Sequence, residues 1–539
     1  MIHRERFRPA SNRATITFVA ILVSSGCDRQ PATDPAIGSV DDREALVEYL
    51  IDRTMEREAF SPEKNRRLGL DVEASMRAEA EGVINATTQE ELFYALVRLS
   101  NARKDRHLSV SPIEGGLQAP AYYPGSNSVA PIAPIRVEID YSVTDDVVLF
   151  VSDVATDQDL VQSVMPGDRI LAFNGVSPTK RFEQARPYMR YSTELGFRKK
   201  YTQLAASRTG LFPPALYRET LDLTLSRDGG DSFDVSLQYV DPAGLEWQSE
   251  SEPRYPGYER VIDSLTYDLY LSESGGDIII LDWHRFNSTL VEDIDRLMQY
   301  AADNDLLTHD IVFDATRSGG GSLGAYAIQR LSPKPFKTTF GNLRISDVIP
   351  EFIDRIVSDY EANRDPLDSG GKETIDDGTW LVDWLTDDVR KAYDAGQEYS
   401  NNVPFKLAHA PKHSDGIIEP AEIHFQGNMV CLMGPNGGSH LDQFFAIVTD
   451  NELCDTIGMQ TGGYSNTWEW HEDVVFPVSG KPVVEFMWNI GHTIAPSGRI
   501  VEGHPSELDE TIPMTHENFA NYDGILLDRA IEILADARE

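Results

Sequence analysis

Asn428-Met429-Val430-Cys431-Leu432-Met433-Gly434-Pro435-Asn436-Gly437-Gly438-Ser439-His440-Leu441-Asp442-Gln443-Phe444-Phe445 is the stretch that decides how this chain is read. Met429 to Met433 form an apolar run of buried-strand length, Gly434 to Gly438 form a Gly/Pro/Asn cluster that turns tightly, and Leu441, Phe444, Phe445 and Val448 recur at helical spacing. Ser439 therefore opens a helix directly after a strand. A hydroxyl placed there lies over free backbone N–H groups and the positive end of the helix dipole, which favour the oxyanion formed when a serine attacks a carbonyl. The same residues also fit a helix cap, with Ser439 as N-cap and Asp442 three residues on. Local sequence leaves both readings open.

Around this turn, short apolar strands alternate with helices: Asp277 to Leu281, a helix from Val291 to Ala302, Asp310 to Phe313, a helix from about Leu323, and Thr456 to Met459. Such alternation predicts a layered α/β core. Residues 332–426 interrupt it with a long insertion that contains the polar loop Asp365 to Thr379 and reads either as a lid or as a surface elaboration. Between Asp41 and about Leu108, apolar residues recur at helical spacing and predict a helical amino-terminal domain, which gives way to an extended run at Asn101-Ala102-Arg103-Lys104-Asp105-Arg106-His107-Leu108-Ser109-Val110. From about Ala130 to Tyr239 the pattern is mostly β. Within it, Met165-Pro166-Gly167-Asp168-Arg169-Ile170-Leu171-Ala172-Phe173-Asn174-Gly175-Val176 resembles the PDZ signature, in which Gly-Asp turns into a strand and Asn-Gly makes the next hairpin. The resemblance implies a module that captures extended peptides by strand addition. Arg186 to Leu216 would be an insertion in it.

The 539 residues predict several domains, and 87 acidic against 48 basic residues leave a net charge of −39, a field that disfavours nucleic acid and anionic membrane surfaces. The amino terminus reads as a targeting segment: His3, Arg4, Arg6, Arg8 and Arg13 precede an apolar run, Ala14 to Val23, that is short for a membrane span. Ser24-Ser25-Gly26-Cys27 resembles a bacterial lipoprotein cleavage box, with Ser24 where leucine is usual. It implies export to the periplasmic side of the cell envelope and membrane attachment through lipidated Cys27. Asp28 to Val40 reads as a tether. Cys431 and Cys454 are expected as buried thiols, although an oxidising compartment would permit them to pair.

Three segments together resemble the carboxyl-terminal-processing (tail-specific) serine peptidases: Asp314-Ala315-Thr316-Arg317-Ser318-Gly319-Gly320-Gly321-Ser322 after a strand, Gly438-Ser439 opening a helix, and Ile457-Gly458-Met459-Gln460-Thr461-Gly462-Gly463 after the next strand. A PDZ-like insertion in the same order adds to the likeness, which spans roughly Leu92 to Ala535. The Ser-Lys branch of that family places its lysine where Tyr464 stands here. The branch resembling the tricorn core protease takes a histidine from an Asp-x-His segment, matched by Asp105-Arg106-His107. The resemblance therefore implies Ser439 as nucleophile, His107 as base and Glu502, in Ile500-Val501-Glu502-Gly503, as the acid that orients the imidazole. His440, adjacent to Ser439 on one helix, points elsewhere. The resemblance further implies oxyanion donors from Gly319 or Gly320 and from the His440 N–H. Ser318 stands where the pattern has asparagine and Thr316 where it has arginine.

The fold class expected is thus multidomain α+β and α/β: a targeting segment at 1–27, a linker at 28–40, a helical domain at 41–125, a PDZ-like β domain at 126–245 and a crotonase/ClpP-like layered α/β peptidase core at 255–539. The implied activity is that of an exported serine endopeptidase acting on extended or unfolded polypeptides through an acyl-enzyme. No zinc, calcium or phosphate-loop spacing occurs, so no cofactor is expected. The alternative is a catalytically inactive family member that binds a ligand or serves as a scaffold.

Overall fold

The computed structural model describes residues 35–124, 128–161, 163–251, 253–362, 379–405, 415–465 and 468–538. The targeting segment with Cys27, most of the linker and the polar loop after Asp365 lie outside the described residues. Among the described residues, no helix is long and apolar enough to cross a membrane.

A seven-stranded sheet carries the site. Its central strands Ile278–Trp283, Asp310–Asp314, Met429–Met433 and Asp455–Gly458 run parallel, Glu510–Thr511 extends one edge, and the antiparallel pair Tyr258–Asp263 and Tyr267–Ser272 closes the other. Parallel strands covered on both faces need apolar side chains on both. Accordingly Leu281, Phe313 and Cys431 meet Ile294, Ile328, Leu441 and Phe444 from helices on one face. Ile280, Val312, Val430 and Leu432 meet Leu526, Ala530 and Leu534 of the carboxyl-terminal helix Tyr522–Asp536 on the other. The Phe313 and Phe444 rings stack 5.0 Å apart, fixing the Ser439 helix against the sheet. Cys431 and Cys454 are both free, with sulfurs 3.0 Å apart.

Four helices, Val40–Arg57, Ser61–Arg67, Val72–Ile84 and Gln89–Asn101, form the amino-terminal part. Their apolar faces do not close on themselves: Leu46, Leu50, Met76 and Leu96 belong to the same hydrophobic cluster as Phe313 and Phe444. They dock on a hairpin, Glu469–Val475 with Pro482–Asn489, whose free edge takes Val110–Ser111 as a third strand. Asp105-Arg106-His107 is thereby strung between a docked helix and a paired strand.

The middle region is a five-stranded antiparallel sheet running Ile135–Ile139, Leu149–Val154, Arg169–Phe173, Thr220–Ser226 and Ser232–Gln238 with its own core. The turn chemistry read from its sequence is present: Asn174 and Gly175 take φ of 50° and 79°, and Phe173 and Val176 exchange both backbone hydrogen bonds across them. Helix Glu194–Ala205 of this region reaches the main sheet's turns, where Thr193 Oγ1 donates to the Gly462 carbonyl at 2.8 Å.

Arg254, in the link between the middle region and the main sheet, ties the sheet together. Its guanidinium binds Asp282, Asp314 (3.0 Å) and Asp523 (3.0 Å) and donates to Thr316 Oγ1 at 2.8 Å. Burial pushes the Asp314 carboxyl upward, and Arg254 is what pulls it back. Removing one partner of a buried ion cluster leaves uncompensated charge. Arg254→Met should therefore cost about 3–5 kcal/mol of stability, read as a lowered urea midpoint.

Candidate active site

The Met429–Met433 strand delivers Ser439 through a turn that only a strained backbone can make. Ser439 sits at φ 62°, ψ −120°, and its side chain makes no cap hydrogen bond, so the capping alternative is not what the structure adopts. A non-glycine residue in this region costs on the order of 1–3 kcal/mol and persists where the surroundings over-determine it. Here they do. The Ser439 N–H donates to the Tyr464 carbonyl at 2.5 Å, and a Cβ on Gly438 would collide with the Tyr464 ring at 2.3 Å. Asp442 anchors the loop that carries Tyr464, accepting from the N–H groups of Gly463 (3.2 Å) and Tyr464 (2.9 Å) and from the Thr461 hydroxyl. Burial raises the Asp442 carboxyl to about 7. Its position in the first turn made it look like half of a cap; its work is to hold the neighbouring loop.

His107, 332 residues away in sequence, places Nε2 at 3.0 Å from Ser439 Oγ. Its ring is 18% exposed, open to the cleft on one side and packed edge-on against Tyr464 at 5.2 Å on another. The backbone of His107 is fixed by Asp105, whose Oδ1 accepts the His107 N–H at 3.0 Å. Burial holds the imidazole below its ordinary value, with Arg106 and Arg190 adding to the effect and Asp105 and Glu469 opposing it.

Behind the imidazole lie two carboxylates where the sequence pointed to one. Single ligand atoms of Asp105, His107 and Glu502 fall within 4.8 Å of one another, and Asp105 Oδ1 is 4.0 Å from Nδ1. Nδ1 and Glu502 Oε1 are both buried without a hydrogen-bond partner, so Glu502 stands beside the ring rather than bonded to it. Glu502 Oε2 accepts from the Ser465 N–H at 2.8 Å. Lys64 supplies the nearest cation, 3.6 Å from Asp105 and 3.8 Å from Glu502, and donates to the carbonyls of Arg103 (3.1 Å) and Lys104 (2.9 Å). The two acids diverge. Burial, reinforced by Asp105, drives Glu502 well up; Asp105 is held below its ordinary value because Lys64 and His107 outweigh its own burial. Proximity of the two acids thus pushes their proton affinities apart. Lys64 and the role of Asp105 were not read from the sequence; the Asp-x-His spacing was the available signal for the aspartate.

On the other side of Ser439 lies the glycine turn after Asp310–Asp314. Gly319 is not an available donor, since its N–H is spent on the His284 carbonyl at 2.9 Å. That corrects one of the two glycines expected there. Gly320 faces the nucleophile: a Cβ on it would come within 2.8 Å of Ser439 Cβ and 3.2 Å of the His440 N. Gly320 and the His440 amide nitrogen thus both lie beside Ser439. The His440 ring turns away and accepts from the Gly324 N–H at 2.6 Å, an arrangement that requires a bare nitrogen, and burial lowers its pKa to about 4. The turn that lacks the pattern's arginine at Thr316 receives a guanidinium from Arg254 instead. A serine hydroxyl hydrogen-bonded to an imidazole, with Gly320 and the His440 amide beside it, is an arrangement that can carry out acyl transfer.

Similarity to known proteins is visible in the fold and not in the sequence. No family model matches the chain, and no curated protein matches it. Mature CPAF complexed with lactacystin aligns over 92% of this chain and 98% of its own, with a TM-score of 0.67 at 15% identity. A second structure of mature CPAF gives 0.64 at 16% identity over 92% and 96% of the two chains.

Two outcomes follow from this geometry. Gly320→Ala should lower kcat/KM by about 10²-fold or more while the protein stays folded by circular dichroism, because the added methyl group would press on the Gly438 carbonyl (2.6 Å) and Ser439 Cβ (2.8 Å). The base must be neutral to act, and burial favours its neutral form, so the acid limb of kcat/KM should fall below pH 6.5, the ordinary histidine value. Substrate turnover measured from pH 4 to 8 checks this. Over 92% of its length, this protein has the fold of mature CPAF.

Proposed function

We propose that this protein is an exported serine endopeptidase of the carboxyl-terminal-processing type, cleaving extended or unfolded polypeptides through an acyl-enzyme. The observation that carries the reading is the 3.0 Å contact between His107 Nε2 and Ser439 Oγ at a strained strand-to-helix turn. His107 takes the Ser439 proton as Oγ bonds to the peptide carbonyl carbon. The Gly320 and His440 amides hold the resulting oxyanion, and His107 then returns the proton to the departing amine as the C–N bond breaks. Water, deprotonated by the same imidazole, attacks the ester and frees Ser439. Asp105, 4.0 Å from Nδ1, stabilises the imidazolium between these steps, and Glu502, the acid the resemblance implies, stands beside the ring to orient it.

The five-stranded middle domain, read as PDZ-like, would present the substrate. Lipidation at Cys27 and residence on the periplasmic side of a bacterial envelope complete the proposal and rest on the amino-terminal sequence. A fluorophosphonate probe tests the chemistry. It should label Ser439 in the wild type, and His107→Ala should reduce the labelling rate by at least about 10³-fold. An unlabelled, folded wild type would favour a non-catalytic ligand-binding role.

A further inference from the structure

Beside the proposed cleavage site lies a small cavity that gathers positive charge in a protein whose net charge is −39. Its volume is about 60 Å³, and Arg106, Lys199, Lys200, Ser192, Asn436 and Tyr464 are among its walls. Tyr464 is the wall shared with the catalytic residues, since its ring packs against His107 and Gly438. Arg106 follows Asp105 and precedes His107, and its guanidinium lies 5.7 Å from the Tyr464 ring centre.

Only one of the cations here has a carboxylate at ion-pair distance, although Asp105 and Glu469 act on Arg190 from further off. Lys199 has a carboxylate, Glu138, at 2.5 Å, but Lys200 reaches only the neutral Gln203 Oε1 at 3.1 Å. Just outside the cavity wall, Arg190 donates to the backbone carbonyls of His107 (3.2 Å) and Leu108 (3.5 Å). Among the described residues neither Arg106, Arg190 nor Lys200 has an acidic side chain within ion-pair distance. Burial lowers Lys200 to about 8, and the charges acting on it, Arg106 and Arg190, are both repulsive. Arg190 is lowered to about 10 by burial and then by Arg106. Like charges brought together and partly dehydrated next to a reactive centre destabilise the free protein. An anion entering the cavity relieves that repulsion.

We propose that this cavity is a specificity subsite for a substrate carboxylate, with Lys200 and Arg106 as its charged partners. A space of about 60 Å³ is enough for a carboxylate. The inference rests on the peptidase reading for its substrate class, and the carboxylate can come from an acidic side chain or from a peptide's own carboxyl terminus.

Fluorogenic peptides that differ only in Glu, Gln or Lys near the scissile bond, all amidated, should show kcat/KM at least tenfold higher for Glu than for Gln. A Gln peptide with a free carboxyl terminus is the second arm, and a gain confined to it assigns the subsite to the terminal carboxylate. Lys200→Met should bring the Glu peptide down toward the Gln peptide, and Lys200→Glu should shift preference to the Lys peptide. The same labelled peptides titrated into Ser439→Ala by fluorescence anisotropy give a readout without turnover, with the Glu peptide or the free-terminus peptide expected to bind about tenfold tighter. Equal binding and equal turnover of all four peptides would overturn the subsite and leave the peptidase standing. Tighter binding of a carboxylate peptide with no hydrolysis of any would do the reverse.

Discussion

Everything at the site depends on a buried ion pair that touches none of the reacting atoms. Arg103, fully buried, binds Glu58 Oε1 at 2.5 Å, donates to the Met487 carbonyl at 2.8 Å and stacks 4.4 Å from the Phe486 ring centre. It thus rivets the end of the last amino-terminal helix to the Pro482–Asn489 strand, four residues before His107. A few residues later Val110 pairs with Phe486 of the same strand. A charge this deep is tolerated only because its hydrogen bonds are satisfied, and its directional demands fix where the intervening loop can run. The imidazole is aimed by that loop, not by a bond to its own Nδ1.

The electrostatics behind the imidazole follow from the same docking. Two carboxylates and one ammonium share a dry space, and full ionisation of both acids would leave the cluster with a surplus negative charge. Burial and the neighbouring Asp105 push Glu502 well up, while Lys64 and His107 hold Asp105 down. Asp105, whose Oδ1 lies 4.0 Å from His107 Nδ1, is the acid nearer to holding a negative charge beside the ring. In front of the ring the sign is opposite, with Arg106 and Arg190 crowding the cleft. His107 therefore lies on a steep gradient of potential across a single side chain.

Much of this was legible in the sequence, and for physical reasons. The strand Met429–Met433 is buried on both faces, so its apolar run was unbroken; the Asn174-Gly175 turn needs two positive φ values, so its residues were diagnostic. The Ser439 turn and the Asp105-Arg106-His107 segment announced themselves by short, dense patterns. Less visible was anything whose meaning lies in a distant partner. Lys64 sits on a short polar helix and looks like one more surface lysine, yet it is buried between two acids. Gly319 and Gly320 are indistinguishable as letters, and only the register against His284 shows which amide is already engaged. The hairpin Glu469–Asn489 did carry a signal, alternating residues on both sides of Ser479-Gly480, and it proves to be the seat on which the amino-terminal helices rest.

Helix Glu194–Ala205 has a consequence for timing. Its cap residue Thr193 holds the Gly462 carbonyl, Ser192 accepts from the Arg106 N–H, and the loop they steady bears on Ser439. His107, Ser439 and Glu502 are thus brought together from stretches far apart in the sequence. On the proposed reading, Ser439 has no partner until these stretches have met, and such a protease would be harmless to its neighbours, and to unfolded copies of itself, until its own folding is complete.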